Sequence, residues 1–305
     1  MKINTYICGN LRAKRYTRIY SWYEKMRKGI LFVVIASVLM VLCTTAGCTG
    51  KNNSGADTAG IDSTDTTAAD TLEQLITEQP MPKAADELFD DFIFNFAANR
   101  KLQFKRIKFP LRVVNGKSEK MVEKSQWKME HFFMNQGYYT LIFDNRRQMK
   151  IVKDTSINHV VVEKIYLKRK KVKQYIFNRI NGEWNLVEVN TGAMYQNNNA
   201  SFLDFYQKFA TDSAFQSRHL DSPIHFSGPD PDDDFSTMTG DIEPETWPAF
   251  APELPANFIY NIIYGQQYTQ SNKKILVMRG IANGMEMELT FVRKGKAWKL
   301  TRLSE

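Results

Sequence analysis

An internal duplication constrains the fold of this chain more than any other feature of its sequence. Residues 89–110, FDDFIFNFAANRKLQFKRIKFP, recur without a gap at residues 202–223 as FLDFYQKFATDSAFQSRHLDSP, 113 residues further on. Seven of the 22 aligned positions hold the same residue: Phe89/Phe202, Asp91/Asp204, Phe92/Phe205, Phe96/Phe209, Ala97/Ala210, Gln103/Gln216 and Pro110/Pro223. A period of this length is too long for a solenoid repeat and has the size of a small domain.

A second shared motif closes each copy. The first copy has FNRINGEW at residues 177–184, and the second has FVRKGKAW at residues 291–298. Each copy therefore begins with a Phe-rich segment and ends with a hairpin that carries a Gly turn and a Trp. We predict two tandem domains, residues 81–195 and 196–305.

The Phe-rich segment has the spacing of a helix. Phe89, Phe92 and Phe96 recur at intervals of three and four residues, which places them on one helix face. Residues 202–209 repeat this pattern. An aromatic stripe can line a ligand-binding box, but helical spacing is also what burial alone requires. We therefore expect the stripe to belong to the core.

Strand-forming segments follow each helix and indicate the fold class. The predicted strands are residues 111–114, 138–143, 159–168, 171–180 and 183–190 in the first copy, and 258–264, 274–282, 285–293 and 297–303 in the second. One Asn-Gly pair in each copy joins two neighbouring strands, which is typical of tight hairpins. Helices followed by hairpin-linked strands predict an α+β fold. We expect two tandem cone-shaped domains, each with N-terminal helices packed on a curved antiparallel sheet.

This order of elements resembles the nuclear transport factor two-like, or cystatin-like, cone fold. The Phe-rich helix, the segment 103–110 and the Gly-x-Trp hairpins resemble a family of uncharacterised bacterial lipoproteins known only as a domain of unknown function. The second copy departs from that pattern at Ser222, where the first has Phe109. The resemblance implies the fold and a place in the cell envelope. It implies no known activity, so it supplies no catalytic or cofactor-binding residue.

Residues 1–47 are predicted to be a secretory signal. A cationic KMRK segment precedes an unbroken apolar run of 14 residues, from Ile30 to Cys43, which is short for a membrane span. The Thr-Ala-Gly-Cys sequence that ends at Cys48 resembles the lipobox of bacterial lipoproteins, which implies lipidation of Cys48. Met26 is an alternative start. An ordinary signal peptide or an uncleaved membrane anchor is the competing interpretation.

A polar segment follows Cys48. Residues 49–70 consist mainly of Ser, Thr, Asn, Asp, Gly and Ala, with Ile61 as the one large apolar residue. Such a segment cannot bury enough surface to order itself, so we predict a flexible tether over residues 48–80. No acidic run follows the cysteine directly. We therefore expect a lipid anchor in the outer membrane, with the protein facing the periplasm.

The basic composition belongs mostly to the leader. The whole chain has a net charge of +8 and a pI of about 9.2. Eight of its 41 Lys and Arg, but only one of its 33 Asp and Glu, lie in the first 47 residues. The remainder is nearly neutral, which removes the main support for nucleic-acid binding. Because Cys48 is the only cysteine after the leader, we expect no disulfide and no cysteine nucleophile or ligand.

No recognisable catalytic motif occurs in the sequence. The chain has four histidines: His131, His159, His219 and His225. They show neither the spacing of metal ligands nor a nucleophile–base pattern. His131, with Tyr138 and Tyr139 nearby, is the strongest acid–base candidate, although a packed or surface histidine is the commoner case. A Gly-rich phosphate loop is also missing, so we predict no catalytic, metal or cofactor-binding residue.

An acidic run has the spacing of a calcium loop. Asp230, Asp232 and Asp234 alternate, and Asp241 stands at the twelfth position from Asp230. However, the position where such a loop needs Gly holds a Phe, and a Pro interrupts the run. A solvated loop is therefore the favoured interpretation, with calcium binding as the alternative.

A basic run, KRKKVK at residues 168–173, lies between two predicted strands. It fits contact with anionic lipid or polysaccharide. A charged hairpin tip is the simpler interpretation, and it is the one we favour.

Two functional hypotheses follow from these patterns. The first is a non-enzymatic, membrane-anchored tandem module that binds a ligand or a protein partner in the bacterial envelope. The second is a cone-fold enzyme, similar to an isomerase, dehydratase or hydrolase, that acts on a small molecule in a pocket between helix and sheet. Two or more buried carboxylates or histidines that converge in one pocket would favour the enzyme.

Overall fold

A computed structural model of the chain describes residues 83–230, 232–269, 271–281 and 284–305. The predicted signal, the lipidation site at Cys48 and the tether lie outside the described residues. Within the described ranges, no helix is long and apolar enough to cross a membrane.

The described helices are short and come in two equivalent pairs. The α-helices are α1 (Phe89–Ala98), α2 (Arg100–Arg106), α3 (Ala200–Thr211) and α4 (Ser213–Arg218). Short 3₁₀ helices cover Lys83–Asp86, Lys124–Gln126, Met134–Gln136, Gln148–Lys153, Met194–Gln196 and Trp247–Ala249. The side chain of Asn99 accepts a hydrogen bond at the start of α2, and Asp212 does the same for α4. Each pair therefore breaks at a residue that ends one helix and caps the next.

Twelve strands in the described ranges form one sheet. They are β1 (Ile107–Asn115), β2 (Ser118–Val122), β3 (Tyr138–Phe143), β4 (His159–Tyr166), β5 (Lys171–Ile180), β6 (Glu183–Ala193), β7 (Leu220–Asp230), β8 (Asp233–Ile242), β9 (Phe258–Ile263), β10 (Lys273–Gly280), β11 (Glu286–Lys294) and β12 (Ala297–Ser304). Their order is β2-β1-β6-β5-β4-β9-β3-β10-β11-β12-β7-β8. Most neighbours are antiparallel, but β1 with β6, β3 with β9 and β7 with β12 are parallel.

The strand order is symmetric about the centre of the sheet. Each strand of the first half has its counterpart from the second half at the same distance from the opposite edge. Strands β1 to β6 correspond in order to strands β7 to β12. Strands β3 and β9 are exchanged relative to two separate sheets. Strand β3 of the first copy pairs with β10 of the second, and β9 of the second copy pairs with β4 of the first. This topology does not confirm two separate tandem domains. Each half instead donates one strand to the other, and β3 and β9 lie side by side at the centre.

Two hydrophobic cores lie on opposite faces of the central strands. We call them the first core, which contains Phe177, and the second core, which contains Phe291. Side chains alternate between the two faces of a sheet along each strand. In β10, Ile275 and Val277 belong to the first core and Leu276 to the second. The parallel central pair and the opposed cores indicate a pseudo-twofold axis along the strand direction.

The two cores have the same aromatic frame. In the first core, Phe177 meets three rings of α1 at centroid distances of 5.3, 5.9 and 5.3 Å: Phe89, Phe92 and Phe96. In the second core, Phe291 meets three rings of α3 at 5.3, 5.6 and 5.2 Å: Phe202, Phe205 and Phe209. Trp184 and Trp298 close the two frames, at 5.0 Å from Phe89 and 5.6 Å from Phe202. The predicted stripe is therefore core in both halves.

Candidate functional site

A buried glutamine on α2 fixes a loop beside the first core. This loop, residues 127–131, has no regular secondary structure. The amide nitrogen of Gln103 donates to the carbonyl oxygens of Phe96 and Glu130, at 3.0 and 2.6 Å. Its amide oxygen accepts from the backbone N–H of Glu130 and from Nε1 of Trp127, both at 3.1 Å. Glu130 is therefore held firmly by its backbone.

The same glutamine in the second copy holds a different loop. Nε1 of Trp247 donates to Oε1 of Gln216 at 2.9 Å, and Nε2 of Gln216 donates to the carbonyl oxygen of Phe209 at 3.1 Å. The identity of Gln103 and Gln216 in the duplication thus has a structural cause. Both residues anchor a Trp-containing loop against a Phe-rich helix.

The carboxylate of Glu130 meets two lysines and a tyrosine on the sheet. Its oxygens lie 3.9 Å from Nζ of Lys164 and 3.5 Å from Nζ of Lys173, and one of them accepts a short hydrogen bond from the hydroxyl of Tyr175. Lys164 lies directly between Lys173 and Tyr260 in the sheet, because the registers of β4 with β5 and with β9 place them side by side. We call Glu130, Lys164, Lys173, Tyr175 and Tyr260 the Glu130 cluster.

Aromatic rings surround both ammonium groups of the Glu130 cluster. Nζ of Lys164 lies 5.1 Å from the ring centroids of Phe258 and Tyr260 and 5.7 Å from that of Tyr166. Nζ of Lys173 lies 4.6 Å from the ring of Tyr175. These distances allow cation–π attraction, which holds the ammonium groups in place where water is partly excluded.

The hydroxyl of Tyr260 is buried and has no hydrogen-bond partner among the described residues. Burial, with the nearby Glu130 carboxylate, raises the pKa of this hydroxyl, so it is a neutral O–H group. Burial also lowers the pKa of Lys173, against the opposing effect of Glu130. The Tyr260 hydroxyl has therefore lost water without gaining a partner from the described residues.

The second core lacks an equivalent cluster. The row formed by Lys173, Lys164 and Tyr260 corresponds, through the matching registers of β11, β10 and β3, to Met287, Met278 and Thr140. Position 289, which corresponds to Tyr175, is a buried Leu. The loop residue that corresponds to Glu130 by the spacing from Trp127 and Trp247 is Phe250. The polar residues of the Glu130 cluster are therefore not required by the fold.

A different polar network lies on the opposite face of the central strands. Glu163 of β4 is fully buried and accepts hydrogen bonds from the amides of Gln174 at 3.0 Å, Asn197 at 2.7 Å and Asn261 at 2.9 Å. The three donors come from β5, from the segment before α3 and from β9. Burial raises the pKa of Glu163, while the three amide donors lower it.

Asp144 forms a second buried centre on that same face. It pairs with Lys274, whose Nζ also donates to Oδ1 of Asn199 at 2.7 Å. The other oxygen of Asp144 accepts from the backbone and hydroxyl of Thr269, at 2.8 and 3.1 Å. The carboxylates of Glu163 and Asp144 are thus occupied by fixed protein donors. They join the two halves of the sheet and the start of α3.

The histidines do not come together. His131, the sequence candidate, is exposed, and the adjacent Glu130 is the residue that reaches the cluster. His159 pairs with Asn178 at 2.7 Å, His219 contacts a backbone carbonyl of α4, and His225 pairs with Asp241.

Tyr139, the second residue of the sequence candidate, contacts Asp90 and not His131. Its hydroxyl donates to Asp90 at 3.3 Å, and the hydroxyl of Tyr264 makes a shorter bond to the same carboxylate. Tyr138 begins β3.

The acidic run is part of a hairpin, not of a calcium loop. Asp230 ends β7 and pairs with Asp233 of β8, whereas Asp241 pairs with His225 at the other end of the same hairpin. Asp230 and Asp241 are therefore too far apart to share an ion. No group of three or more His, Cys, Asp or Glu side chains in the described ranges is arranged to hold a metal.

The basic run is divided by the structure. Residues 168–170 form an exposed turn between β4 and β5, and Lys171 is exposed as well, as expected of a charged hairpin tip. Lys173 is different, because it faces the Glu130 cluster and its side chain is only 31% exposed. The sequence gives one signal for the orientation of Lys173, because alternation along the strand places it on the same face as Tyr175 and Phe177.

Comparison with known proteins places the chain in a family. The profile of a domain of unknown function, DUF4348, matches residues 68–305, and the chain belongs to that family. A crystal structure described as an NTF2-like protein from Bacteroides fragilis NCTC 9343 is 44% identical in sequence, with a TM-score of 0.69. The match covers 74% of this chain and 98% of that one. No curated protein matches. The predicted family and NTF2-like α+β fold are confirmed.

Proposed function

We propose that this DUF4348 protein is a non-enzymatic binding module of the bacterial envelope, which holds a small molecule at the Glu130 cluster. The observation that carries the proposal is the buried hydroxyl of Tyr260, which has no partner among the described residues although the ring that bears it lies next to Lys164. A polar group in this state is expected to gain a partner when a ligand binds.

The comparison of the two cores supports a functional cause for the Glu130 cluster. Charged and hydroxyl groups at partly buried positions cost free energy that apolar side chains do not. The second core fills the same positions of the same frame with Met287, Met278 and Thr140. Since the fold is compatible with those residues, the lysines and tyrosines are best explained by binding.

Binding fits the Glu130 cluster better than catalysis does. The cluster contains one carboxylate and no histidine, and Glu130 is already engaged by Tyr175, Lys164 and Lys173. The buried carboxylates of Glu163 and Asp144 lie on the other face and are hydrogen-bonded to protein groups. The described part of the chain therefore does not bring two or more carboxylates or histidines without fixed protein partners together in one place, which is the arrangement that would favour the enzyme.

The finer architecture is part of the proposal. We infer one cone-shaped unit for each half, produced by duplication and joined by the exchange of β3 and β9. The exchange matters for the site, because Tyr260 and Phe258 belong to the second half of the sequence but lie against the first core. Neither half would contain the complete Glu130 cluster by itself.

The proposed location rests on the sequence alone. The signal of residues 1–47, the lipobox cysteine Cys48 and the polar tether support an anchor in the outer membrane with the protein facing the periplasm. The Cys48→Ser protein should no longer sediment with membranes or partition into detergent. An unchanged distribution and an unchanged gel mobility would contradict lipidation.

The binding proposal is tested by recovering the ligand. Full-length protein is purified from envelope membranes, and its bound small molecules are identified by mass spectrometry, for the wild type and for Lys173→Met/Tyr260→Phe. The matched control is Lys294→Met/Tyr206→Phe, which changes a lysine and a tyrosine away from the Glu130 cluster. We expect a compound that is present in the wild type and the control but lost in the cluster variant. The same compounds in all three proteins would refute the proposal.

A further inference from the structure

We propose that the ligand of the Glu130 cluster is a small organic anion, with a carboxylate or phosphate group that binds between Lys164, Lys173 and the hydroxyl of Tyr260. This inference rests on the proposed binding function and adds the chemical class of the ligand. It is argued from the charges, the unused donor and the shape of the surrounding rings.

The charge balance of the cluster favours an anion. Two ammonium groups face a single carboxylate, and both contacts, at 3.5 and 3.9 Å, are longer than a charge-assisted hydrogen bond. Lys164 and Lys173 are also direct cross-strand neighbours, an arrangement in which like charges repel. The guanidinium of Arg169 lies over the ring of Tyr166 at 5.8 Å and adds positive charge at the edge. An anion between the lysines would relieve this repulsion.

The hydrogen-bond donors point to the same class. The hydroxyl of Tyr260 has no acceptor among the described residues, and each ammonium group has three N–H donors to satisfy. An oxyanion offers only acceptors, so it can take bonds from Lys164, Lys173 and Tyr260 together. A cationic ligand would offer hydrogen-bond donors where the protein already offers donors, and the two ammonium groups would repel it.

The rings beside the lysines indicate an organic body on the anion. Tyr166 and Phe258 are half-buried neighbours on β4 and β9, with centroids 6.4 Å apart, and both lie near the ammonium of Lys164. Exposed ring surface at the edge of a polar site favours a ligand with an apolar or planar part. A bare inorganic ion would leave this surface unused.

The class is tested with probes of one shape and different charge. Benzoate, benzamide and benzamidine are anionic, neutral and cationic forms of a similar molecule, and phenyl phosphate replaces the carboxylate with a phosphate. Each is titrated into the full-length protein by isothermal titration calorimetry and by NMR of the tyrosine rings. Lys173→Met is compared with Lys294→Met, a lysine of β11 that is paired with Asp221 on the surface.

We expect benzoate or phenyl phosphate to bind with shifts of the Tyr260 ring, and benzamidine not to bind. The Lys173→Met change should weaken the anion by about tenfold or more, because one of its two charge partners is lost, whereas Lys294→Met should not. The tighter of the two anions identifies the group that the site prefers. Binding of benzamide or benzamidine at the Tyr260 ring, with no preference for the anions, would refute the anion and keep the binding function. No binding of any probe near Tyr260 would refute both.

Discussion

The two cores of this protein share one aromatic frame and differ in the side chains that the neighbouring strands place beside it. Around Phe177 and Phe291 the ring distances agree to within a few tenths of an ångström, and the same glutamine anchors a Trp loop in each half. On the sheet, the first core has a row of two lysines and a tyrosine where the second has two methionines and a threonine. The shared frame is explained by folding, and we propose that this row of polar residues is explained by binding.

The comparison of the two halves acts as an internal control. A residue that both copies keep at equivalent positions is explained by the frame alone. A residue that only one copy has is not needed to build that frame. The Glu130 cluster belongs to the second kind, and so does the ion pair of Asp86 with Arg106, which corresponds by sequence to Asn199 and His219.

The largest predicted effect tests whether the two cores unfold together. Phe177→Ala removes the ring at the centre of the first core and should lower the free energy of unfolding by about 3–5 kcal/mol. Because β9 and β10 contribute residues to that core, hydrogen exchange should become faster in β5 and also in β11. Hydrogen-exchange mass spectrometry of peptides from both strands measures this.

Phe291→Ala is the matched variant in the second core and should have a loss of similar size. It too should speed exchange in both halves. If Phe177→Ala affected only β5 and Phe291→Ala only β11, the cores would be independent domains. The exchange of β3 and β9 would then contribute little to the coupling between the two cores.

A somewhat smaller effect is expected at the buried ion pair of the first half. Arg106 donates two hydrogen bonds to Asp86, at 2.9 and 2.7 Å, and both side chains are at least 90% buried. Arg106→Met leaves the Asp86 carboxylate buried without its cation and should cost about 3 kcal/mol. Urea unfolding followed by circular dichroism gives the value.

The double variant Arg106→His/Asp86→Asn installs the residue types of the second half and removes both charges. It should lose less stability than Arg106→Met, because no uncompensated charge is left in the core. A double variant that is less stable than Arg106→Met would show that the second half offers no valid substitute for this pair.

Glu163 should make stability depend on pH in a particular direction. Burial raises its pKa in the folded protein above the ordinary value of about 4.5, so the folded state keeps the proton to higher pH than the unfolded state. Its contribution to stability is therefore greatest at low pH and falls as pH rises from that ordinary value through the raised pKa. Relative to the wild type, Glu163→Gln should gain stability over this interval.

Unfolding free energies of wild type and Glu163→Gln between pH 4 and pH 8 measure that difference. Glu245→Gln, at an exposed position, serves as the control and should show no such trend. A difference between wild type and Glu163→Gln that stays constant with pH would mean that the proton of Glu163 is not linked to folding.

The smallest effect concerns two buried tyrosines. Tyr206 donates to the carbonyl oxygen of Pro255 at 3.2 Å, so Tyr206→Phe should cost about 1 kcal/mol. The hydroxyl of Tyr260 has no described partner, so Tyr260→Phe should be neutral or stabilising by up to about 1 kcal/mol in the absence of ligand. Thermal unfolding of the two variants distinguishes them. A clear loss in Tyr260→Phe would show that this hydroxyl is satisfied within the protein.

Local patterns in the sequence predicted most elements but not how they assemble. The strands at residues 138–143 and 171–180 are found with exact bounds, because periodicity and turn residues are local signals. The exchange of β3 and β9 has no such signal, since either strand could pair with β4 or β10. Strand β8 is not predicted because the segment that leads into it, residues 228–234, is rich in Gly, Pro and Asp, which are typical of loops.

The candidate site shows the same limit. His131 was chosen for its chemistry, whereas the residue that reaches the sheet is its neighbour Glu130. The lysines and Tyr260 come from strands that become neighbours only in the assembled sheet. A residue type can be read from the chain, but its partners across strands depend on the topology.

A crystal structure of the protein grown with benzoate tests the central claim most directly. The claim is that one of two equivalent frames has become a binding site for an anion. We predict density for the carboxylate within hydrogen-bond distance of Lys164, Lys173 and the hydroxyl of Tyr260, and none beside Met278 and Met287. Density at the second position instead, or at neither, would contradict the account.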